Sequence, residues 1–197
     1  MTLPLARLGR WLFGRRTWLP LPMVAALLLV PASPGATWSS TRLGWIGVLV
    51  VLAGEGMRLW AVHHIGAISR TRSDRLGPLI VTGPFSLVRN PLYLGNVALW
   101  LGLALSARLF YVAPVIVALL ILEYHAIVTW EEWLLHERLG ETYRAYVQQV
   151  PRWVPRLRRP MPGPAPFSWR DTLFSERGTL VAIAAGYGAL WVKSYVW

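Results

Sequence analysis

The chain has 197 residues and no cysteine, and its 20 lysines and arginines against 9 aspartates and glutamates give a net charge of +11. Hydrophobic residues make up 55% and charged residues only 15%, whereas soluble domains carry roughly a quarter charged residues. The composition therefore indicates a membrane protein whose cations face lipid headgroups, and not a nucleic-acid-binding protein. The lack of cysteine excludes a disulfide scaffold, a zinc–thiolate site and a cysteine nucleophile.

Five apolar stretches with few ionisable residues predict membrane-spanning helices. A bilayer core needs about 20 residues of helix, so the first and third stretches are marginal in length. The sequence predicts an all-α fold, a polytopic transmembrane bundle of about five spans. The predicted spans cover residues 17–33, 43–62, 91–107, 109–130 and 178–197.

The distribution of arginines predicts the orientation. Arginines precede the first span, fill the connection between the second and third, and recur between the fourth and fifth, whereas the opposite connections hold only Arg42 and Arg108. The positive-inside rule then puts the N-terminus in the cytoplasm and the C-terminus outside. Because the cations are nearly all arginine, we expect a bacterial inner-membrane protein. A cleavable signal peptide ending near residues 31–36 is the alternative for the first span.

Ionisable side chains inside the spans are candidates for function, because a bilayer penalises them unless they are paired or solvated. Glu55 and Arg58 lie three residues apart and can form an ion pair on one helical face. Glu123 lies deep in the fourth span, and His64 ends the second, where it could touch headgroups or a cofactor. No histidine spacing, phosphate-binding loop or serine-nucleophile motif predicts a metal site or a soluble nucleotide fold.

Residues 79–95 form the first informative block. Gly83 and Pro84 predict a turn, and Asn90 followed by Pro91 predicts a helix start with Asn90 as the N-cap. The free N–H groups of that helix start, beside Arg89, favour an anionic group. From the residues alone, this block predicts a cradle for a carboxylate or a phosphate.

The second block begins with the adjacent acids Glu131 and Glu132 at the end of the fourth span. Acids are unfavourable at a helix C-terminus. Either the helix continues as an amphipathic interfacial helix, with Tyr143 and Tyr146 on the buried side, or the acids serve a ligand. Residues 151–166 contain six prolines and several arginines and predict an extended linker.

Together the blocks resemble integral-membrane methyltransferases of the isoprenylcysteine carboxyl methyltransferase and phospholipid N-methyltransferase kind. The resemblance covers residues 55–155 and departs from the family pattern where Phe85 replaces a tyrosine and Asn90 replaces a histidine, which removes a titratable group. The matching blocks are Leu79-Ile80, Gly83-Pro84-Phe85, Arg89 to Gly95, Glu131 to Leu135, Leu139 to Tyr146 and Val150 to Pro155.

The resemblance implies S-adenosylmethionine in a pocket that opens to the cytoplasm and is formed by the C-terminal half, and a lipid or lipophilic acceptor that enters from the bilayer. It implies three regions: N-terminal helices (1–62), a methyltransferase core (63–155), and a linker with the last helix (156–197). Arg58 and Tyr124 are candidates for contact with the acceptor, and the candidates for catalysis are Glu55, His64 and Arg89. The implied cofactor-binding residues are Leu79, Ile80, Gly83, Phe85, Arg89, Asn90, Pro91, Tyr93, Glu131 and Glu132.

Two alternatives stay open at this point. An NADPH-dependent membrane reductase of the sterol-reductase kind shares a similar helix start, but Glu131 and Glu132 would repel the 2′-phosphate of its cofactor. A non-enzymatic membrane protein with a degenerate pocket would explain the departures at Phe85 and Asn90. The sequence does not identify the acceptor, the element methylated, or the oligomeric state.

Overall fold

The computed structural model describes residues 3–32, 42–66 and 78–196, and these are helical apart from turns, connections and one isolated bridge between Gly83 and Met161. The all-α prediction is confirmed. The described helices are α1 (Leu3–Arg15), α2 (Leu21–Leu29), α3 (Arg42–Ile65), α4 (Pro91–Ser106), α5 (Val112–Leu139), α6 (Glu141–Gln149) and α7 (Trp169–Val196).

Among the described helices, α3 and α5 are the two that are long and apolar enough to cross a membrane. The 16 residues of α4 begin at Pro91, where the sequence predicts a helix start. The helix α5 continues past the predicted end at residue 130 to Leu139, so Glu131 and Glu132 lie inside a helix. This agrees with the alternative in which the helix continues beyond the fourth predicted span.

The predicted span over residues 17–33 differs most from the structure. Residues 16–20 form a turn, and the helix that follows, α2, has only 9 residues, about 14 Å of helix. Pro20 precedes α2 and Pro22 lies in its first turn, positions where proline favours the start of a helix over its continuation. Ser33 and the predicted signal cleavage region from residue 33 onward lie outside the described residues.

The helix α7 begins at Trp169, well before the predicted start at residue 178. The Asp171 carboxylate accepts hydrogen bonds from the Ser168 backbone N–H, at 3.2 Å, and from the Ser168 hydroxyl. The Ser168 hydroxyl in turn accepts from the Asp171 N–H at 3.2 Å, which forms a capping box. These hydrogen bonds from Ser168 lower the pKa of Asp171.

Small residues bring α3 and α4 into close contact. A Cβ added at Gly102 would lie 2.6 Å from the Gly47 carbonyl oxygen, and one added at Gly54 would lie 2.8 Å from the Gly95 carbonyl oxygen. Glycine seams of this kind let membrane helices approach backbone to backbone. The Arg58 side chain lies directly over Gly95, so the seam fixes Arg58 against the first turns of α4.

The N-terminal helices pack on α5. Gly9 contacts the Ala126 carbonyl, and the rings of Phe13 and Trp130 lie 5.0 Å apart, so α1 runs along α5 in the same direction. The helix α2 contributes to the main apolar core, and the Lys193 ammonium of α7 donates to the Leu27 carbonyl of α2 at 2.6 Å. The buried members of that core are Met23, Leu27, Ala104, Ala107, Leu109, Ala113, Ile116, Leu120, Tyr124, Ile127 and Leu190.

Residues 150–168 contain no helix, as the predicted linker requires, and they cross residues 83–89. Backbone hydrogen bonds join Gly83 N–H to Met161 O at 2.9 Å, Arg156 N–H to Leu87 O at 3.0 Å, and Arg89 N–H to Pro151 O at 2.9 Å. The linker therefore holds the block that carries Arg89 in place. Arg70, Arg72 and Arg75, which belong to the arginine-rich connection between the second and third predicted spans, lie outside the described residues.

Candidate functional site

A cavity of about 550 Å³ lies between the helices, with walls from the α1–α2 corner, α3, the block before α4, α4, α5, α6 and α7. This volume falls within the roughly 300–1,000 Å³ typical of sites for small molecules. Two groups of polar side chains line it. We call them the Arg89 end (Arg89, Asn90, Glu131, Glu132) and the Arg58 end (Arg58, Asn96, Glu123, Tyr124, Glu176).

At the Arg89 end, two arginines hold the Glu132 carboxylate. Arg89 Nη1 lies 2.8 Å from Glu132 Oε1, and Arg152 donates to both oxygens, from Nε at 3.1 Å and from Nη2. Both oxygens of Glu132 are thus engaged within the protein. Arg89 keeps one donor, Nε, that is buried and has no hydrogen-bond partner among the described residues.

Glu131 has a different environment from its neighbour Glu132. It lines the cavity and accepts one hydrogen bond, from the Tyr93 hydroxyl at 2.9 Å. Arg16, in the turn between α1 and α2, also lines the cavity and acts electrostatically on Glu131. Because no arginine is bonded to Glu131 among the described residues, its carboxylate remains an acceptor for a ligand.

Asn90 occupies the N-cap position of α4, as predicted, but its side chain does not cap the helix. Its Nδ2 donates instead to the Arg152 carbonyl oxygen at 3.1 Å. The tertiary fold places Arg152 of the linker beside Asn90. The Asn90 side chain therefore bonds the linker backbone and not the first N–H groups of α4. The start of α4 therefore lacks a side-chain cap beside Arg89, as an anion site requires.

Two tyrosines of α6 close the Arg89 end. The Tyr146 hydroxyl donates to the Phe85 carbonyl oxygen at 2.7 Å, and the Tyr143 hydroxyl lies beside Arg89. Burial raises the pKa of both hydroxyls, so they stay protonated and polar without adding charge. The hydrogen bond from Tyr146 also ties α6 to the block before α4.

At the Arg58 end, one guanidinium joins three helices. Arg58 Nε lies 3.3 Å from Glu55 Oε2 on the same helix, which confirms the predicted pair. Arg58 also bonds Asn96 of α4 and Glu176 of α7, and it donates to the Thr179 hydroxyl at 3.2 Å. Its positive charge is therefore already balanced by carboxylates of the protein.

A chain of aromatic and polar contacts connects the two ends. Tyr93, which is bonded to Glu131, packs its ring 4.7 Å from the Tyr124 ring, and the Tyr124 hydroxyl lies beside Asn96. Asn96 is in turn bonded to Arg58. A line of aromatic and polar side chains from α4 and α5 therefore connects the two ends of this one cavity.

Most of the residues that the sequence analysis selected line this cavity, but three of them do not. Gly83 packs against the ring of His64, Glu55 contacts Arg58 from outside the cavity, and His64 is buried beside Thr82, 3.3 Å from its hydroxyl. The selected residues that line the cavity are Leu79, Ile80, Phe85, Arg89, Asn90, Pro91, Tyr93, Glu131, Glu132, Arg58 and Tyr124.

Residues 43–142 match the phospholipid methyltransferase family. This stretch is half of the chain and carries both ends of the cavity except for Glu176. The chain belongs to the phospholipid methyltransferase family. The resemblance inferred from the sequence is thereby confirmed, and with two apolar helices the family identifies a membrane protein.

Two curated relatives are metal-resistance proteins by name. The chain is 31% identical over 121 residues to the nickel-cobalt-cadmium resistance protein NccN of Alcaligenes xylosoxydans xylosoxydans, covering 61% of this chain and 54% of that protein. It is 30% identical over 135 residues to the cobalt-zinc-cadmium resistance protein CzcN of Cupriavidus metallidurans, covering 68% and 59%. The chain thus spans little more than half the length of these relatives. No solved structure matches it.

Parts of the cavity wall were missed by sequence reasoning and lie outside the stretch that matches the family. Arg16 and Thr17 reach the cavity from the α1–α2 corner, and Glu176 reaches it from the first half of α7. Asn96 lies inside the family stretch, and its signal was an amide in an otherwise apolar helix. The corner residues gave no signal, because Arg16 was assigned to the cytoplasmic arginines that precede the first predicted span and Thr17 to the start of that span.

Proposed function

We propose that this protein transfers a methyl group from S-adenosylmethionine to a lipid or lipophilic acceptor at the membrane. The observation that carries the proposal is the Arg89 end: a buried donor on Arg89 without a partner, a helix start without a side-chain cap, and a Glu131 carboxylate open to the cavity. These groups stand together in a member of a methyltransferase family.

The groups of the Arg89 end fit the chemistry of this cofactor, which carries a carboxylate, an ammonium group, hydroxyls and an apolar base. Arg89 and the first N–H groups of α4 would receive the carboxylate. Glu131 would accept from the ammonium group or from hydroxyls. Leu79 and Ile80, with the side chains of Leu134 and Leu135, would cover the base.

When bound, the cofactor would supply an electrophilic methyl group on a sulfonium. The aromatic rings of Phe85, Tyr93 and Trp130 line the cavity and would face the positive charge. Alignment of the two reactants and exclusion of water are the contributions that this chemistry needs from the protein. Glu132 acts on binding through Arg89, whose guanidinium it holds.

The proposal includes the predicted sidedness, with the Arg89 end facing the cytoplasm of a bacterial inner membrane. Because the chain has no cysteine, single cysteines report on it directly. A membrane-impermeant maleimide should label Tyr111→Cys, in the exposed turn before α5, on intact cells, and Gln149→Cys, at the end of α6, only after permeabilisation. The reverse pattern would invert the orientation.

Calorimetry with S-adenosylhomocysteine tests the enzymatic proposal on purified protein in detergent. We expect saturable binding of S-adenosylhomocysteine and no binding of NADPH, because the Glu131 carboxylate, which faces the cavity and is bonded to Tyr93, would repel a 2′-phosphate. Binding of NADPH without S-adenosylhomocysteine would support the reductase alternative. If neither bound, the non-enzymatic alternative would stand.

The names of the two relatives raise the question of whether this chain has a role in metal resistance. Across residues 3–32, 42–66 and 78–196, no group of three histidine, aspartate or glutamate side chains is arranged to hold a metal ion. The geometry of the described residues therefore does not favour direct metal binding. We propose that any effect of this chain on metal tolerance follows from methylation of a membrane component.

A further inference from the structure

Glu123 differs from the other carboxylates around the cavity. It lies near the middle of α5 and lines the cavity, half-buried beside Leu120 and Tyr124. No hydrogen bond or ion pair joins it to another residue among those the structure describes. By contrast, Glu55, Glu131, Glu132 and Glu176 each bond a side chain of the protein.

A lone carboxylate at this depth is costly. An ionisable group inside an apolar helix costs several kcal/mol unless it is paired or solvated. Arg58, the arginine of the Arg58 end, already forms ion pairs with Glu55 and Glu176. Glu123 is therefore available to a group that arrives with the acceptor.

The surroundings of Glu123 also exclude a class of acceptor. The Arg58 end holds one arginine and the two carboxylates Glu123 and Glu176, and Arg58 also pairs with Glu55. An acceptor with a carboxylate at its reacting end would therefore meet net negative charge without a free cation. Met23, Trp100 and Leu120 also line the cavity and favour an apolar acceptor body. A lipophile whose reacting atom carries a proton and no negative charge fits both conditions.

We propose that Glu123 is the proton acceptor of the methyl transfer, and that the acceptor is a lipophile reacting through a protonated heteroatom (N–H, O–H or S–H) and not through a carboxylate. This rests on the function proposed above. The acceptor atom forms a bond to the methyl carbon, and the carbon–sulfur bond of the donor breaks with its electron pair going to sulfur. The proton of the acceptor atom passes to a Glu123 oxygen.

The position of Glu123 along α5 is consistent with this role. It lies eight residues before Glu131 on the same helix, which corresponds to about 12 Å along the axis. Glu131 belongs to the end that would bind the methyl donor, and Glu123 belongs to the end that would bind the acceptor. The reacting atoms would thus meet between the two carboxylates, beside Tyr93 and Tyr124.

A carboxylate that takes a proton from the reacting atom must lie within hydrogen-bond reach of it, so it should also hold an alkylammonium ion. The probes are dodecylamine and dodecanoate, which share chain length and differ in head-group charge at pH 7. Their binding is measured by calorimetry in a nonionic detergent for the wild type, Glu123→Gln and the control Glu137→Gln, which changes an exposed acid on the same helix.

We expect the wild type and Glu137→Gln to bind dodecylamine at least tenfold more tightly than dodecanoate, and Glu123→Gln to lose this preference. S-adenosylhomocysteine affinity should stay within twofold in all three proteins, which also verifies that the variants fold. Methyl transfer to dodecylamine should fall at least fiftyfold in Glu123→Gln alone.

Two failures are distinguishable. If the wild type does not bind S-adenosylhomocysteine, the proposed function itself fails. If S-adenosylhomocysteine binds but Glu123→Gln keeps the ammonium preference, or if both glutamine variants lose it equally, the role of Glu123 is overturned and the methyltransferase proposal stands.

Discussion

The two ends of the cavity are built by different means. At the Arg58 end, buried side chains of α3, α4 and α7 bond one another, and the guanidinium is saturated by protein groups. At the Arg89 end, backbone hydrogen bonds from the linker hold residues 83–89 in place. Among the described residues, the Arg89 Nε has no acceptor, and the Glu131 carboxylate accepts only from Tyr93. The first arrangement stabilises the fold, and the second leaves polar groups for a ligand.

The largest effect should follow from breaking the Arg58 end. Arg58→Met leaves Glu55 and Glu176 without their common cation, and removing one partner of a buried ion pair costs about 3–5 kcal/mol. Thermal unfolding in detergent measures this loss. The control is Arg144→Met, since Arg144 and its partner Glu141 are 63% and 84% exposed, and it should leave stability unchanged. Equal effects of the two changes would contradict the comparison.

The Arg89 end should be most sensitive at Gly83. Gly83 and Gly140 both have positive φ, 57° and 49°, so alanine at either position strains the backbone by about 1–2 kcal/mol. At Gly83 the new methyl would also overlap the His64 ring, whereas Gly140 has open space. We expect Gly83→Ala to lose about 2–4 kcal/mol and Gly140→Ala about half of that in the same unfolding assay.

Substitution of Glu131 should weaken the binding of S-adenosylhomocysteine without a comparable loss of stability. Glu131→Ala removes a carboxylate that faces the cavity, and we expect S-adenosylhomocysteine affinity to fall at least tenfold, about 1.4 kcal/mol. Glu137→Ala, an exposed acid on the same helix, should leave the affinity unchanged. Small and equal effects in calorimetry would mean that Glu131 belongs to the solvated face and not to the site.

The smallest predicted effect concerns Tyr146. Tyr146→Phe removes the hydrogen bond to the Phe85 carbonyl oxygen and should cost about 1 kcal/mol. Because burial raises the pKa of Tyr146, the unfolded chain loses this proton first, near pH 10. The stabilisation is therefore complete below about pH 10 and declines above it. Unfolding at pH 8 and pH 10.5 should show a weaker alkaline decline in the variant, and an identical decline would contradict this account.

The sequence by itself determined the features that depend on local pattern. The apolar stretches with few ionisable residues located α3, α4 and α5, and Pro91 marked the start of α4. The spacing of Glu55 and Arg58 predicted their ion pair, and the order of motifs predicted the family. These features are local because residues within about one helical turn, or in one continuous apolar run, have their relative positions set by backbone geometry.

Only the tertiary structure decided which polar groups are occupied and which remain available. Arg58 meets Glu176 from 118 residues away, and Asn90 meets the Arg152 carbonyl from 62 residues away. The adjacent acids Glu131 and Glu132 look equivalent in sequence, yet the linker brings Arg152 to Glu132 and not to Glu131. These long-range contacts cannot be predicted from a local sequence pattern, because they depend on how the helices and the linker pack. The same packing leaves the side chains of Glu131 and Glu123 facing the cavity.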